Sequence, residues 1–82
     1  MAAGTLRYWA AARAAAGVAE EPFDGRTLGE VLDAAVAAHG PELARVLGVA
    51  SFLVDGVRSN RDSVLAEGVT VEVLPPFAGG AA

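Results

Sequence analysis

The sequence predicts a single α+β domain, a sheet of about five strands packed against one principal helix. Three observations carry this prediction. Apolar and polar side chains alternate over residues 5–9, a capped amphipathic helix begins at Thr27, and valines occupy every second position from Val69 to Val73. The 82 residues leave room for one compact domain with a modest core.

A strand and a short helix open the chain. In the stretch from Thr5 to Trp9, Leu6 and Tyr8 share one face, as in a strand that is buried on one side. The alanine-rich segment from Ala10 to Ala16 predicts one or two helical turns, closed by Gly17.

A second strand is predicted from Val18 to Phe23. Pro22 has no backbone N–H to donate to a neighbouring strand, so this strand is expected at an edge of the sheet. The dipeptide Asp24-Gly25 is typical of a turn and is expected to end the strand.

The principal helix has the clearest pattern. Thr27 and Glu30 have the spacing of a capping box, in which side chains satisfy backbone N–H groups at the start of a helix. Gly40-Pro41 is expected to end the helix near His39. Five apolar residues recur with helical spacing and predict a stripe that faces the core: Leu28, Val31, Leu32, Ala35 and Val36.

The second half of the chain predicts another short helix, from Pro41 to Leu47, and then a hairpin. Residues 52–54 are expected to form a strand that enters a tight turn at Asp55-Gly56. Residues 62–65 have the pattern of a capped single helical turn.

The last strand is expected to close the domain. Residues 69–74 place three valines on one face, and Pro75-Pro76 end the strand because proline cannot donate a backbone hydrogen bond. Residues 1–76 are therefore expected to form the domain. Residues 77–82, with two glycines and small neighbours, are expected to form a flexible tail.

The composition argues against several classes of protein. The net charge is −4 and all six basic residues are scattered arginines, so no nucleic-acid-binding surface is expected. There is no cysteine for a disulfide or a thiol nucleophile, and no lysine to accept an isopeptide bond. The sequence shows neither a signal-peptide pattern nor a membrane-spanning apolar run, which favours a cytoplasmic protein without a membrane partner.

Side chains suited to catalysis are scarce. His39 is the only histidine, and its position near a helix end favours a surface or capping role. The pair Glu20-Glu21 is expected to be a solvated strand edge. We therefore predict no catalytic residue, no metal site and no bound cofactor.

The Gly79-Gly80 pair offers a different chemistry. A terminal glycine carboxylate becomes an electrophile when a partner converts it to an acyl-adenylate, and attack by sulfur then gives a thiocarboxylate. This group supplies nucleophilic sulfur without any cysteine. Two glycines also let a tail enter a narrow channel, although a lone pair of glycines is a weak signal.

Two separated motifs make the signal specific. LRYWAAARAAAG near the start and LPPFAGG near the end together resemble the small subunit of molybdopterin synthase and its relatives in the MoaD/ThiS sulfur-carrier family. The helix start at residues 27–30 and the segment 62–65 followed by Gly68 are similar too. The resemblance implies a ubiquitin-like β-grasp fold with a mixed sheet, in which the first and last strands are central and parallel.

The resemblance also implies partners. An E1-like enzyme would use ATP to adenylate Gly80, and a sulfur donor would convert it to the thiocarboxylate. The large subunit of molybdopterin synthase, or another sulfur-accepting synthase, would then receive the tail, with Gly79 in its channel.

Four residues match the family's docking surface: Trp9, Leu74 and Phe77 as apolar contacts and Arg13 as a polar one. Each has a structural alternative. Trp9 could cover a second small cluster, and Arg13 could be a solvated charge. Leu74 points away from the valine face and Phe77 follows two prolines, which favours docking for both.

Ala81-Ala82 departs from the family pattern. These residues place the carboxyl group of Gly80 in a peptide bond, so the chain as written cannot be adenylated there. We expect a peptidase to remove them, and a zinc-dependent, deubiquitinase-like metallopeptidase is the natural candidate.

The leading hypothesis is therefore a non-catalytic carrier that works as the small subunit of molybdopterin synthase. A carrier for cysteine, thiazole or secondary-metabolite biosynthesis is an alternative within the family. A β-grasp interaction module without sulfur chemistry is an alternative from another class, and an independent enzyme is the weakest hypothesis.

Overall fold

The computed structural model describes residues 1–76, which form five strands and three helices. In chain order these are β1 (Ala2–Tyr8), α1 (Ala10–Ala16), β2 (Glu20–Gly25), α2 (Leu28–His39), α3 (Pro41–Leu47), β3 (Ser51–Val54), β4 (Val57–Ser59) and β5 (Thr70–Leu74). None of these helices is long and apolar enough to cross a membrane.

The strands form one mixed sheet in the order β2-β1-β5-β3-β4. β1 and β5 lie side by side and run parallel, with Leu6 opposite Val71 and Tyr8 opposite Val73. The other pairs of neighbouring strands are antiparallel. The arrangement is the ubiquitin-like β-grasp that the resemblance implies, and β2 lies at an edge as Pro22 predicts.

The core lies between the sheet and α2. Val71 and Val73 on β5 are fully buried, as are Leu28 and Leu32 on α2. The alternating pattern of β5 and the helical stripe of α2 are therefore confirmed, because each apolar set faces the other across the core. Val36 is partly buried at the end of the stripe.

The start of α2 is fixed by hydrogen bonds, some within the first turn and some to residues 61 and 63. The Glu30 backbone N–H donates to Thr27 Oγ1 at 3.2 Å, as the capping box predicts. The Glu30 side chain accepts from the backbone N–H of Arg26 at 2.9 Å, one residue before the expected partner. The N–H groups of Leu28 and Gly29 donate to the carbonyls of residues 63 and 61, so the first turn has its partners.

The prediction of a helical turn at residues 62–65 is wrong. Val64 instead forms an isolated antiparallel bridge with Thr27, and the Leu65 N–H donates to the Arg26 carbonyl at 2.9 Å. Asn60 turns the chain, because its side chain accepts from the Asp62 N–H at 2.9 Å. Asp62 lies in a turn, and residues 63–65 bond to the chain that leads into α2.

The second strand, β2, begins and ends two residues later in the chain than predicted. It begins at Glu20, and Asp24-Gly25 belongs to the strand rather than to a turn. The reason is that β1 begins at Ala2, which pairs with Gly25 and extends the ladder. Gly25 is also required for packing, since a Cβ atom there would lie 2.8 Å from a methyl group of Val31.

The remaining elements agree with the sequence. α1 and α3 have the predicted bounds, and Gly17 ends α1 in the left-handed conformation with φ of 80°. The hairpin turn uses left-handed conformations at Asp55 (φ 48°) and Gly56 (φ 82°). The Asp55 side chain accepts from the Thr70 N–H at 2.8 Å and ties the hairpin to β5.

Candidate functional site

The chain leaves the domain beside the end of β1. Because β1 and β5 are parallel neighbours, their C-terminal ends lie at the same end of the sheet. Trp9 follows β1 directly and Pro75-Pro76 follow β5. The Trp9 backbone N–H donates to the Val73 carbonyl at 3.3 Å and joins the two ends. We call Trp9, Arg13 and Leu74 the tail-root surface.

Trp9 is an accessible member of this surface. It is 43% exposed and lies between β1 and α1, outside the core. Its indole Nε1 donates to Glu72 Oε2 at 3.3 Å, which orients the ring along the outer face of β5. The next residue, Ala10, has a left-handed backbone with φ of 50°, which is unusual for a residue with a Cβ atom.

Leu74 and Arg13 complete the tail-root surface. Leu74 is half-buried and alternates with the buried Val73, so it lies on the face of the sheet opposite the core, as predicted. Arg13 is exposed and forms no ion pair within residues 1–76. The other predicted site residues lie outside the described part of the chain: Phe77, Gly79, Gly80, Ala81 and Ala82.

The outer face of the sheet carries a row of charges and one apolar residue. Register places five residues side by side across the strands: Glu20, Arg7, Glu72, Leu53 and Arg58. Arg7 bonds to Glu20 at 3.2 Å. Leu53 and Glu72 are not among the site residues that the sequence predicts. Leu53 alternates with the core-packed Phe52 and Val54, and that alternation was the available signal.

A second polar cluster lies on the helix side, at the same end of the sheet. The buried Tyr8 donates from its hydroxyl to Glu21 Oε2 at 2.6 Å, and His39 Nε2 contacts the same oxygen at 2.7 Å. The Tyr8 and His39 rings meet edge to face with centroids 6.1 Å apart. Burial, with the bond to Glu21 and its charge, raises the pKa of Tyr8 above its ordinary value.

This cluster corrects two interpretations. Glu20 is solvated as expected, with 54% of its side chain exposed, but Glu21 is only 27% exposed and accepts hydrogen bonds. His39 is 17% exposed and joins the end of α2 to β2, so a simple surface role is wrong. The three side chains hold two strands and a helix together. Within residues 1–76 no group of three or more acidic or histidine side chains could hold a metal ion.

The comparisons with known proteins agree with this geometry. The sequence profile of the ThiS family matches residues 6–80. A search of curated protein sequences finds no match.

Solved structures show the same fold. The crystal structure of small archaeal modifier protein 1 from Haloferax volcanii is 28% identical, with a TM-score of 0.82 over 95% of this chain and 99% of that one. A putative molybdopterin converting factor subunit 1 from Pyrococcus furiosus is 21% identical, with a TM-score of 0.77 over 94% and 100%. In a complex of subunits 1 and 2 of the molybdopterin-converting factor from Helicobacter pylori, a matching chain is 18% identical, with a TM-score of 0.68 over 92% and 95%.

Proposed function

Because this chain belongs to the ThiS family, we propose that it is a sulfur carrier whose reactive group is the carboxyl group of Gly80. The observation that carries the proposal is the extent of the family match, which runs from the first strand to Gly80 and includes Gly79. The sheet supports the proposal, because β1 and β5 are parallel neighbours. The chain therefore leaves the end of β5 beside an accessible apolar surface.

The chemistry takes place in two steps on a partner enzyme. The Gly80 carboxylate attacks the α-phosphorus of ATP and displaces pyrophosphate, which forms an acyl-adenylate. Sulfide then attacks the acyl carbon and displaces AMP, and loss of a proton from sulfur leaves the thiocarboxylate. The chain supplies the carboxylate and the docking surface, and the E1-like partner binds ATP and supplies the catalytic groups.

The tail-root surface is the proposed contact for these partners. Trp9 is 43% exposed and Leu74 is half-buried, and both lie beside the point where the chain leaves the sheet. Arg13 adds an exposed positive charge. A partner that contacts this surface with apolar groups holds the tail close to its own active site, and Phe77 extends the contact along the tail.

The large subunit of molybdopterin synthase is the proposed sulfur-accepting partner. The Helicobacter pylori structure has subunit 1 in complex with subunit 2, which shows that the fold serves in such an assembly. Synthases for cysteine, thiazole or a secondary metabolite would use the same thiocarboxylate. A cytoplasmic location suits these pathways.

The Haloferax volcanii structure favours a second candidate function. That protein is a small archaeal modifier protein and is 28% identical to this chain. A modifier would use the same activated Gly80, but an amine of another protein would attack the acyl carbon instead of sulfur. The two functions differ in the attacking atom and share the requirement for a free carboxyl group at Gly80.

One experiment tests the carrier proposal and the removal of Ala81-Ala82 together. Chains that end at Ala82, Gly80 and Gly79 are incubated with the E1-like enzyme of the same genome, ATP and sulfide, and intact masses are measured. We expect the mass change of an oxygen-to-sulfur exchange only in the chain that ends at Gly80. Pyrophosphate release, measured with each chain, shows separately whether that chain is adenylated, and a carrier that the enzyme already adenylates serves as the control for enzyme activity.

Each contrary result has a distinct meaning. Equal conversion of the chain that ends at Ala82 would refute the processing step. Failure of all three chains with an active enzyme would refute the carrier proposal and leave the interaction module. Covalent adducts to added lysine-containing proteins, without sulfur exchange, would support the modifier function.

A further inference from the structure

The backbone of Trp9 is held on both sides. It is extended, with φ of −121° and ψ of 150°. Its N–H donates to the Val73 carbonyl at 3.3 Å. Its carbonyl accepts from the N–H groups of Ala12 at 2.9 Å and Arg13 at 3.4 Å. The main chain of Trp9 therefore joins β5 to the first turn of α1, and the position of the indole ring depends on rotation within the side chain alone.

Glu72 fixes that rotation. Its Oε2 accepts from the indole Nε1 of Trp9 at 3.3 Å, and within residues 1–76 this is the only hydrogen bond of the Glu72 side chain. An indole has a single N–H donor, so the ring makes this bond in one orientation. Without it, a side chain that is 43% exposed would be free to change rotamer. The bond therefore orders an apolar ring that stays accessible.

Arg7 is the natural competitor for Glu72. The two residues are partners in the parallel ladder of β1 and β5, and a guanidinium binds a carboxylate more strongly than an indole does. Arg7 Nε instead donates to Glu20 Oε1 at 3.2 Å, on the opposite side of β1. Among residues 1–76, Glu72 takes part in no ion pair. The pair of Arg7 and Glu20 thus leaves the Glu72 carboxylate to Trp9.

We propose that Glu72 is a positioning residue, which holds the Trp9 ring in the orientation that the E1-like partner binds. This inference rests on the proposed function, because that function makes Trp9 part of the docking surface. A partner that meets an ordered ring does not have to restrict its rotation on binding, and this ordering cost would otherwise lower the affinity. Glu72 acts through Trp9 and not through a contact of its own with the partner.

NMR spectroscopy of the full chain tests the ordering without any partner. Trp9 is the only tryptophan, so the spectrum contains one indole N–H signal. The heteronuclear NOE of Nε1 should be high in the original chain and in Glu72→Gln, whose amide oxygen still accepts, and clearly lower in Glu72→Ala. Glu42→Ala is the control, because it removes an exposed carboxylate from α3. It should leave the NOE unchanged. An equally ordered indole in Glu72→Ala would overturn the proposal.

Calorimetry with the E1-like enzyme then tests whether Glu72 acts through Trp9. Glu72→Ala should weaken binding about fivefold, whereas Glu72→Gln and Glu42→Ala should bind as the original chain does. Trp9→Phe keeps an apolar ring but has no N–H to donate, so adding Glu72→Ala to it should have no further effect.

Two results of the calorimetry would overturn the proposal. Equal weakening by Glu72→Ala with Trp9 and with phenylalanine at this position would show that Glu72 contacts the partner directly. Unchanged binding of Glu72→Ala would show that the order of the ring does not matter for docking. An enzyme that binds none of the chains would refute the proposed function instead, while the NMR measurement still decides whether Glu72 positions Trp9.

Discussion

The two faces of the β1–β5 pair differ in what surrounds them. On the helix side, Leu6, Tyr8, Val71 and Val73 are at most 2% exposed. On the outer side, Arg7, Glu72 and Leu74 alternate with them along the same two strands and stay partly accessible. Because successive side chains of a strand point to opposite faces, one pair of strands can hold the core and present a partner surface at once. Stability and recognition should therefore respond to different substitutions.

The largest expected effect is on the buried side. Leu32→Ala removes a fully buried side chain from α2 and should lower the free energy of unfolding by about 2–5 kcal/mol. Leu74→Ala is the matched control, since the same atoms are removed from a half-buried outer position, and it should cost less. Urea unfolding measures both. Equal costs would show that the outer face contributes to the core as much as the inner face does.

Partner binding should depend more on the outer side of the sheet than on the buried side. Phe77→Ala and Leu74→Ala should each weaken binding to the E1-like enzyme by about 2 kcal/mol, or roughly thirtyfold, with a nearly unchanged melting temperature. Val57→Ala is the control, because Val57 is 67% exposed on the edge strand β4, which is separated from β5 by β3. Isothermal titration calorimetry gives the affinities. A large fall in melting temperature with intact binding would assign Phe77 to the core.

The polar cluster of Tyr8, Glu21 and His39 predicts a pH dependence of stability. The folded-state pKa of Tyr8 is raised, so the folded protein holds this proton more tightly than the unfolded chain does. The contribution of protonated Tyr8 to the free energy of unfolding is fully present below the unfolded pKa of about 10 and is lost as pH rises above it. Tyr8→Phe should cost about 1–3 kcal/mol at neutral pH through loss of the bond to Glu21. It should also have a flatter decline in stability above pH of about 10.

Denaturant unfolding at several pH values measures this difference. Tyr8 is the only tyrosine in the chain, so its ultraviolet absorbance reports the ionisation directly. An ordinary tyrosine titration in the folded protein, or parallel stability curves for the two proteins, would contradict the prediction.

The smallest effect is expected beside Trp9. Ala10→Gly should stabilise the protein by less than about 1 kcal/mol, because glycine adopts the φ of 50° without a steric penalty. Ala14→Gly in the same helix is the control. Ala14 is exposed and its φ is not positive, so glycine there should destabilise by about 0.5–1 kcal/mol. Thermal unfolding compares them, and equal destabilisation would show that Ala10 is not strained.

Local patterns explain which predictions from the sequence are confirmed. The capped start of α2, the glycine end of α1 and the Asp55-Gly56 turn each depend on residues close together in the chain. The helical turn predicted at residues 62–65 is wrong because the hydrogen-bond partners of this segment lie more than thirty residues away, around Arg26 and Thr27. A pattern within four residues cannot reveal such partners.

The sequence by itself determined the number of strands and their succession along the chain, the apolar stripe of α2 and the supply of reactive groups, with no lysine, no cysteine and two glycines near the end. Only the tertiary structure decided which residues meet. Trp9 contacts Glu72, and Tyr8 and His39 both bond to the same carboxylate oxygen of Glu21. The physical reason is that periodicity fixes which face a side chain occupies, while the order and register of the strands fix which residue lies opposite it.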